Sequence, residues 1–359
     1  MPTVWFAILA LMLTAYAVLD GFDFGAGILH LFVAKTDAER RTVLSAITPF
    51  WGANEVWLIS AGGVFVFAFP RAFAAAFSGL YLPLTLVIWL VILRGLSIEM
   101  RSQLEHSLWR RGFDVIFAAS SATMAIVLGV ALGNVIRGVP LDGSGYFHED
   151  LFGGSSGAID LYTIAMGVFA LVALAGHGAT FLAWKTEGAL HGRCMRWAMQ
   201  SYRALLVLVI AVTALTFLHV PIFFALVLGR PSVWPLPIAG LAAGAWVLRS
   251  LSRDRARAAF LASCSFIACF LVATAAALFP TILRSTVDPA YSMDTSSATS
   301  SDTLTIGFAL WLVGISLVVA YFTYLFRSLR GSATADDAHA SHSMDVPRPR
   351  TQSSDSPRI

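Results

Sequence analysis

The sequence predicts an all-α integral membrane protein that crosses the bilayer nine times, and three observations carry that expectation. The chain is 57% hydrophobic and only 13% charged over 359 residues, with a mean hydropathy of +0.75, whereas soluble domains carry about 25% charged residues. Its apolar runs are long enough to cross a hydrocarbon core of about 30 Å, which takes about 20 residues of helix. No alternation of polar and apolar residues in stretches of about ten is present, which argues against a closed β-barrel, the other structure that satisfies its backbone in lipid.

The spans follow in order. The first, 3–33, has no basic stretch ahead of it and runs past any small-residue cleavage site, so it reads as a retained helix and not a removed signal. Spans 43–69, 74–97, 113–137, 160–184 and 201–229 follow as apolar runs between polar turns. The seventh, 234–248, is short and punctuated by Pro235 and Pro237, and a re-entrant segment is its alternative. The eighth, 258–283, contains Cys264 and Cys269; with Cys194 they form no CxxC or metal pattern and read as small buried apolar residues. The ninth is 303–327. Residues 1–330 are thus one polytopic transmembrane domain, and 331–359, rich in Ser, Asp, His and Arg, are expected to be a disordered cytoplasmic tail. His339 and His342 in that tail read as solvated and not as metal ligands. The polar loop 284–302 is expected to be ordered only by packing on its neighbours.

Charge gives an independent check on the count. Twenty of the 24 Lys and Arg follow the odd-numbered spans or sit in the tail, among them Lys35, Arg101, Arg110, Lys185, Arg193, Arg253 and Arg257. The other four, Arg71, Arg137, Arg230 and Arg284, lie one to a loop on the opposite side. The positive-inside bias therefore predicts an outside N-terminus and a cytoplasmic C-terminus, and it requires 234–248 to cross.

Ionisable groups inside a bilayer are costly unless paired or facing a polar cavity, so each is a functional candidate. Asp20 and Asp23 in span one are spaced i, i+3 and share a helix face; Trp51, Asn54 and Glu55 in span two, with Trp57 following, repeat the i, i+3, i+4 pattern. At about 1.5 Å per residue, Asp20 and Asp23 lie roughly 15–20 Å from the cytoplasmic ends and Glu55 roughly 18 Å. Three carboxyls at one level are hard to ionise together, so at least one is expected to hold a proton. That suits a proton relay or a buried site at a subunit interface. The structural alternative is that these acids bond backbone groups or pair with Arg. Arg94, Glu99 and Arg101 at the end of span three read as structural ion pairing. His177, between Gly176 and Gly178, is a candidate haem or metal ligand because glycines let a planar group approach, although an interhelical hydrogen-bonding role is the plainer reading. His30 and His219, near span ends, are weaker candidates. No HExxH, P-loop or dinucleotide fingerprint is present, and no metal site is expected.

The segment Leu19-Asp20-Gly21-Phe22-Asp23-Phe24-Gly25-Ala26-Gly27, the Trp51–Trp57 stretch followed by Ala61-Gly62-Gly63, and Phe69-Pro70 recur in this order with Ala74–Gly79, Gly129–Asn134 and Gly138-Val139-Pro140. Gly178-Ala179-Thr180, Lys185-Thr186-Glu187-Gly188, Phe279-Pro280, Ser296–Ser301 and Thr303-Leu304-Thr305 complete the set. Together, from about residue 10 to residue 327, they resemble subunit II of the cytochrome bd quinol oxidases, including the cyanide-insensitive branch. The resemblance implies two four-helix bundles plus one peripheral helix, in the bacterial cytoplasmic (inner) membrane. It implies a complex that oxidises quinol and reduces dioxygen to water, supporting proton-motive force in a respiratory chain. It further implies haem b and haem d carried by a partner subunit I, a structural quinone in some members, room for small accessory subunits, and no nucleic acid. One departure stands out: where the family often reads Trp-Asp-Gly-Asn, this chain has Trp51-Gly52-Ala53-Asn54, and Glu55, about one turn on, is the candidate replacement for the missing acid. A proton-coupled secondary transporter is the alternative function, weakened by the lack of a repeat and of paired broken helices.

Overall fold

The computed structural model describes residues 1–147 and 157–328; the expected tail 331–359 lies outside them. In chain order the helices are α1 (Pro2–Val33), α2 (Asp37–Ile47), α3 (Trp51–Ala68), α4 (Pro70–Gly79), α5 (Tyr81–Met100), α6 (Ser107–Arg137) and α7 (Leu161–Lys185). They continue with α8 (Gly188–His219), α9 (Pro221–Leu228), α10 (Pro235–Leu251), α11 (Ala256–Leu278) and α12 (Ser301–Ser328). Among the described residues eight helices are singly long and apolar enough to span a membrane, and α2 with α3, bent by 45° at their junction, makes a ninth.

Local chemistry sets the boundaries. Thr36 and Glu39 form a reciprocal capping box at the start of α2, and Asp160 with Thr163 does the same for α7. Pro70, Pro221 and Pro235 each occupy the first turn of a new helix, where a missing N–H costs nothing. Three of the expected spans are broken, one of them at Pro221. The expected 43–69 is the bent pair, parted around Thr48-Pro49-Phe50. The expected 74–97 straddles α4 and α5, and 201–229 straddles α8, which begins earlier at Gly188, and α9. The expected 258–283 ends sooner, at Leu278: Pro280 cannot continue the helix, and Thr281–Leu283 is a short strand (β1) paired antiparallel with Met293–Asp294 (β2). The doubtful 234–248 is a continuous helix, α10.

Helix α1 is the hub, packed on α3, α6, α7 and α11, while α7 packs on α6, α8 and α11, α10 on α8 and α11, and α5 on α6. The tightest crossing is α1 on α7. A Cβ on Gly178 would lie 2.3 Å from the backbone carbon of Gly25, and one on Gly25 would lie 2.0 Å from the Leu174 carbonyl oxygen. Small residues allow such approach in membranes, where packing and not hydrophobic burial holds helices together. Because the obstruction is backbone, Gly178→Ala is expected to destabilise by about 1–3 kcal/mol, the usual range of overpacking. The readout is a lower thermal midpoint of the purified protein, with Gly112→Ala, where the added methyl meets nothing within 4 Å, as the neutral control. Equal melting of the two variants is incompatible with this crossing.

Helix α12 sits apart. It is fastened near its start, where the Trp5 indole N–H donates to the Leu304 carbonyl at 3.1 Å and Gly307 abuts Phe67. Ile306, Leu310, Val313 and Leu317 along it are exposed.

At the end where Lys and Arg crowd, an ion network ties α1, α2, α5 and α6 together. Asp114 receives His30 at 2.7 Å, Arg40 at 3.0 Å and Arg101 at 2.5 Å, and Asp37 receives Arg41 at 2.7 Å, Arg101 at 2.8 Å and Arg110 at 3.2 Å.

Candidate functional site

Above this network, α1, α3 and α5 bring a guanidinium and three carboxyls together in the apolar interior. Asp20 and Asp23 project from the same face of α1 and are wholly buried, and Arg94 of α5 is 1% exposed. Arg94 Nη2 donates to Asp20 Oδ2 at 3.0 Å, and Nη1 lies 2.7 Å from Oδ1 as an ion-pair contact outside hydrogen-bond geometry. Nη2 also donates to Glu55 Oε1 of α3 at 2.7 Å. The Phe24 ring lies under the guanidinium, 4.2 Å from centroid to Cζ, a cation–π contact favoured by desolvation.

Asn54 completes the set. Its side-chain amide donates to Asp23 Oδ2 at 2.8 Å and to the Leu19 carbonyl at 2.9 Å, fixing α3 against α1. The other oxygen of Asp23 and the side-chain oxygen of Asn54 are buried without a hydrogen-bond partner among the described residues. Trp51 packs its ring on Gly95 of α5, and Trp57 sits against Phe322 of α12 with its indole N–H unpartnered. Glu55 alone among the charged members is partly open, at 17% exposure. The two helices that carry Glu55 and Arg94 also carry exposed apolar side chains, Val56 and Ile59 on α3 and Ile88, Trp89 and Ile92 on α5.

Three carboxyls facing one guanidinium carry a formal charge of −2, and unpaired charge is costly in an apolar interior. The three carboxyls outnumber the one guanidinium, so at least one of them is expected to hold a proton. The arrangement can therefore hold protons and exchange them between neighbouring carboxyls, with Glu55 as the member that reaches the surface of the chain.

The structure joins Asp20, Asp23, Trp51, Asn54 and Glu55 as the sequence suggests, with Trp57 at the margin. It corrects the grouping of Arg94, Glu99 and Arg101. Arg94 belongs to the buried cluster, Arg101 pairs with Asp114 and Asp37, and Glu99 is exposed with no ion pair among the described residues. The signal for Arg94 was present: it is a lone cation in an apolar run, Trp89-Leu90-Val91-Ile92-Leu93-Arg94, whose natural partners are acids inside other spans.

The candidacy of His177 as a haem or metal ligand also fails. Its Nδ1 meets the Ser263 hydroxyl at 2.6 Å and its Nε2 meets the Val18 carbonyl at 2.9 Å, so both nitrogens are engaged. Its ring is wholly buried and stacks on Phe260. This residue does not fit a haem iron; it pins α7 to α1 and α11. His30 is likewise held by Asp114 through Nε2.

Comparison with known proteins gives the following. The family model described as cytochrome bd terminal oxidase subunit II matches residues 1–329. The chain is 29% identical to cytochrome bd-I ubiquinol oxidase subunit 2 of Escherichia coli (strain K12), over 93% of this chain and 95% of that protein. It is 29% identical to cytochrome bd ubiquinol oxidase subunit 2 of Bacillus subtilis (strain 168), over 83% of this chain and 86% of the other. In fold it resembles a chain of the bd oxidase from Geobacillus thermodenitrificans, with a TM-score of 0.68, 17% identity, and coverage of 91% of this chain and 97% of that one.

Proposed function

Since this chain belongs to the cytochrome bd terminal oxidase subunit II family, we propose that its Asp20–Asp23–Glu55–Arg94 cluster holds and passes protons for the oxidase complex, while a haem-bearing subunit I carries the redox groups. The complex oxidises quinol and reduces dioxygen in the bacterial inner membrane, and haem supplies its redox chemistry. The observation that carries the proposal is the buried cluster itself: one guanidinium and three carboxyls, of which a single acid is partly exposed. Subunit I is seated on the exposed apolar side chains of α3 and α5, where Glu55 meets it. The helix pairings support two four-helix bundles, α1, α3, α5 and α6 beside α7, α8, α10 and α11, with α12 peripheral. The crowding of Lys and Arg at one end supports an outside N-terminus and a cytoplasmic C-terminus, with residues 331–359 a cytoplasmic tail.

The placement of the haems has a direct test. His177→Asn keeps a polar side chain but removes the imidazole. The purified complex is expected to retain its full red and Soret haem absorbance per mole of subunit pair, with a modest loss of thermal stability. A missing haem band in an otherwise assembled complex overturns the assignment of all haems to the partner. A colourless wild-type preparation, active only in solute uptake, overturns the oxidase reading as a whole.

A further inference from the structure

A second site lies on different elements, where the turn between α7 and α8 faces the turn between α10 and α11. A groove of about 730 Å³ runs between them, lined by Trp184, Glu187, His191, Asp254, Arg255, Arg257 and Leu261 among others. Its size falls in the range of small-molecule sites. We infer that this groove seats the phosphate headgroup of an anionic membrane phospholipid, from the leaflet at that end of the molecule.

Charge complementarity argues for an anion. Arg255 and Arg257 are exposed on the groove wall and make no ion pair among the described residues; Arg257 instead leans over the Trp184 ring, 5.9 Å from Cζ to centroid. Lys185 Nζ lies over the same ring at 4.7 Å. Both acids of the wall have a partner within the protein. His191 Nε2 meets Asp254 Oδ1 at 3.1 Å while its Nδ1 meets the Ala183 carbonyl at 2.7 Å, and Glu187 also has a protein partner. A phosphodiester matches the guanidinium fork, which binds phosphate oxygens in pairs.

Position argues for a lipid and against a free anion. Trp184 closes the last turn of a membrane helix, the depth at which indole rings settle among headgroups. Leu261, one turn further into α11, is 53% exposed. The groove thus has a cationic rim and an apolar continuation along the flank of α11, which suits a headgroup above and an acyl chain below. Basic pockets between membrane helices commonly hold such headgroups.

The test compares two double variants of the full complex with equal charge loss around the turn between α10 and α11. Arg255→Gln/Arg257→Gln removes the groove arginines, and Arg249→Gln/Arg253→Gln removes two that do not line it. Native mass spectrometry of the detergent-purified complex, titrated with phosphatidylglycerol, is expected to show retention on wild type and on the 249/253 variant. Retention on the 255/257 variant should be about tenfold weaker, with haem absorbance unchanged to show that assembly is intact. Phosphatidylcholine should bind none of the three comparably. Equal loss in both variants overturns the site in favour of diffuse attraction to basic residues. Displacement of the lipid by millimolar inorganic phosphate overturns the lipid in favour of a free-anion site, and absence of retention on wild type overturns the proposal outright.

Discussion

Replacing Arg94 with Met is expected to abolish accumulation of the complex. The substitution leaves Asp20 and Glu55, which the guanidinium holds at 2.7–3.0 Å, beside a side chain that supplies no donor. Removing one partner of a buried ion pair costs about 3–5 kcal/mol, a large share of the stability of any domain. Arg94→Lys keeps the charge but loses the fork that spans both Asp20 oxygens, so it should fall between. Adding Asp20→Asn to Arg94→Met removes the stranded acid and should restore part of the yield. Haem absorbance per milligram of membrane protein measures all three. Wild-type levels in Arg94→Met contradict the buried pair as the keystone of α1, α3 and α5.

Glu55→Gln is the second large effect, and it falls on turnover. The amide keeps the shape and still accepts a hydrogen bond from Arg94, so assembly and haem content should survive. What disappears is the exchangeable proton at the one cluster position open to the surface. Oxygen consumption with quinol should drop by roughly 10²-fold, the low end for loss of a general acid–base group. Gly52 lies about one turn from Glu55, and a Cβ added there meets nothing within 4 Å. Gly52→Asp in a Glu55→Ala background should recover part of the rate by returning a carboxyl to that part of α3. Oxygen consumption near wild type in Glu55→Gln, across the working pH range, assigns the protons to another route, and loss of haem in that variant makes Glu55 structural.

The spans were legible because lipid demands long apolar helices, and that signal survives any detail of packing. The breaks were not, since the bend before Trp51, the junction at Leu80 and the helix start at Pro221 all fall inside apolar runs. The acids were legible for the same reason as the spans: each stands out against an apolar background. Arg94 was misgrouped because Glu99 is near in sequence, yet a spacing of five residues lies off the i+3 and i+4 neighbour positions, whereas its true partner, Asp20, is 74 residues away. The glycines around His177 pointed to a cofactor only because sequence does not say what approaches them. Gly178 meets Gly25, and Gly176 meets Ser201 and Tyr202 of α8.

The order in which Asp20 and Arg94 leave the ribosome sets a problem for biosynthesis. Helix α1 carries two carboxyls, each costly at the middle of a bilayer, and its counter-ion is translated 74 residues later. Until α5 arrives, α1 is a poor candidate for release into lipid and is better kept beside the channel or held as the acid form. Delivery of Arg94 removes that reluctance at a stroke and draws α1, α3 and α5 together, when barely a quarter of the polypeptide exists. The buried ion pair therefore ties the settled state of α1 in lipid to a helix made 74 residues later.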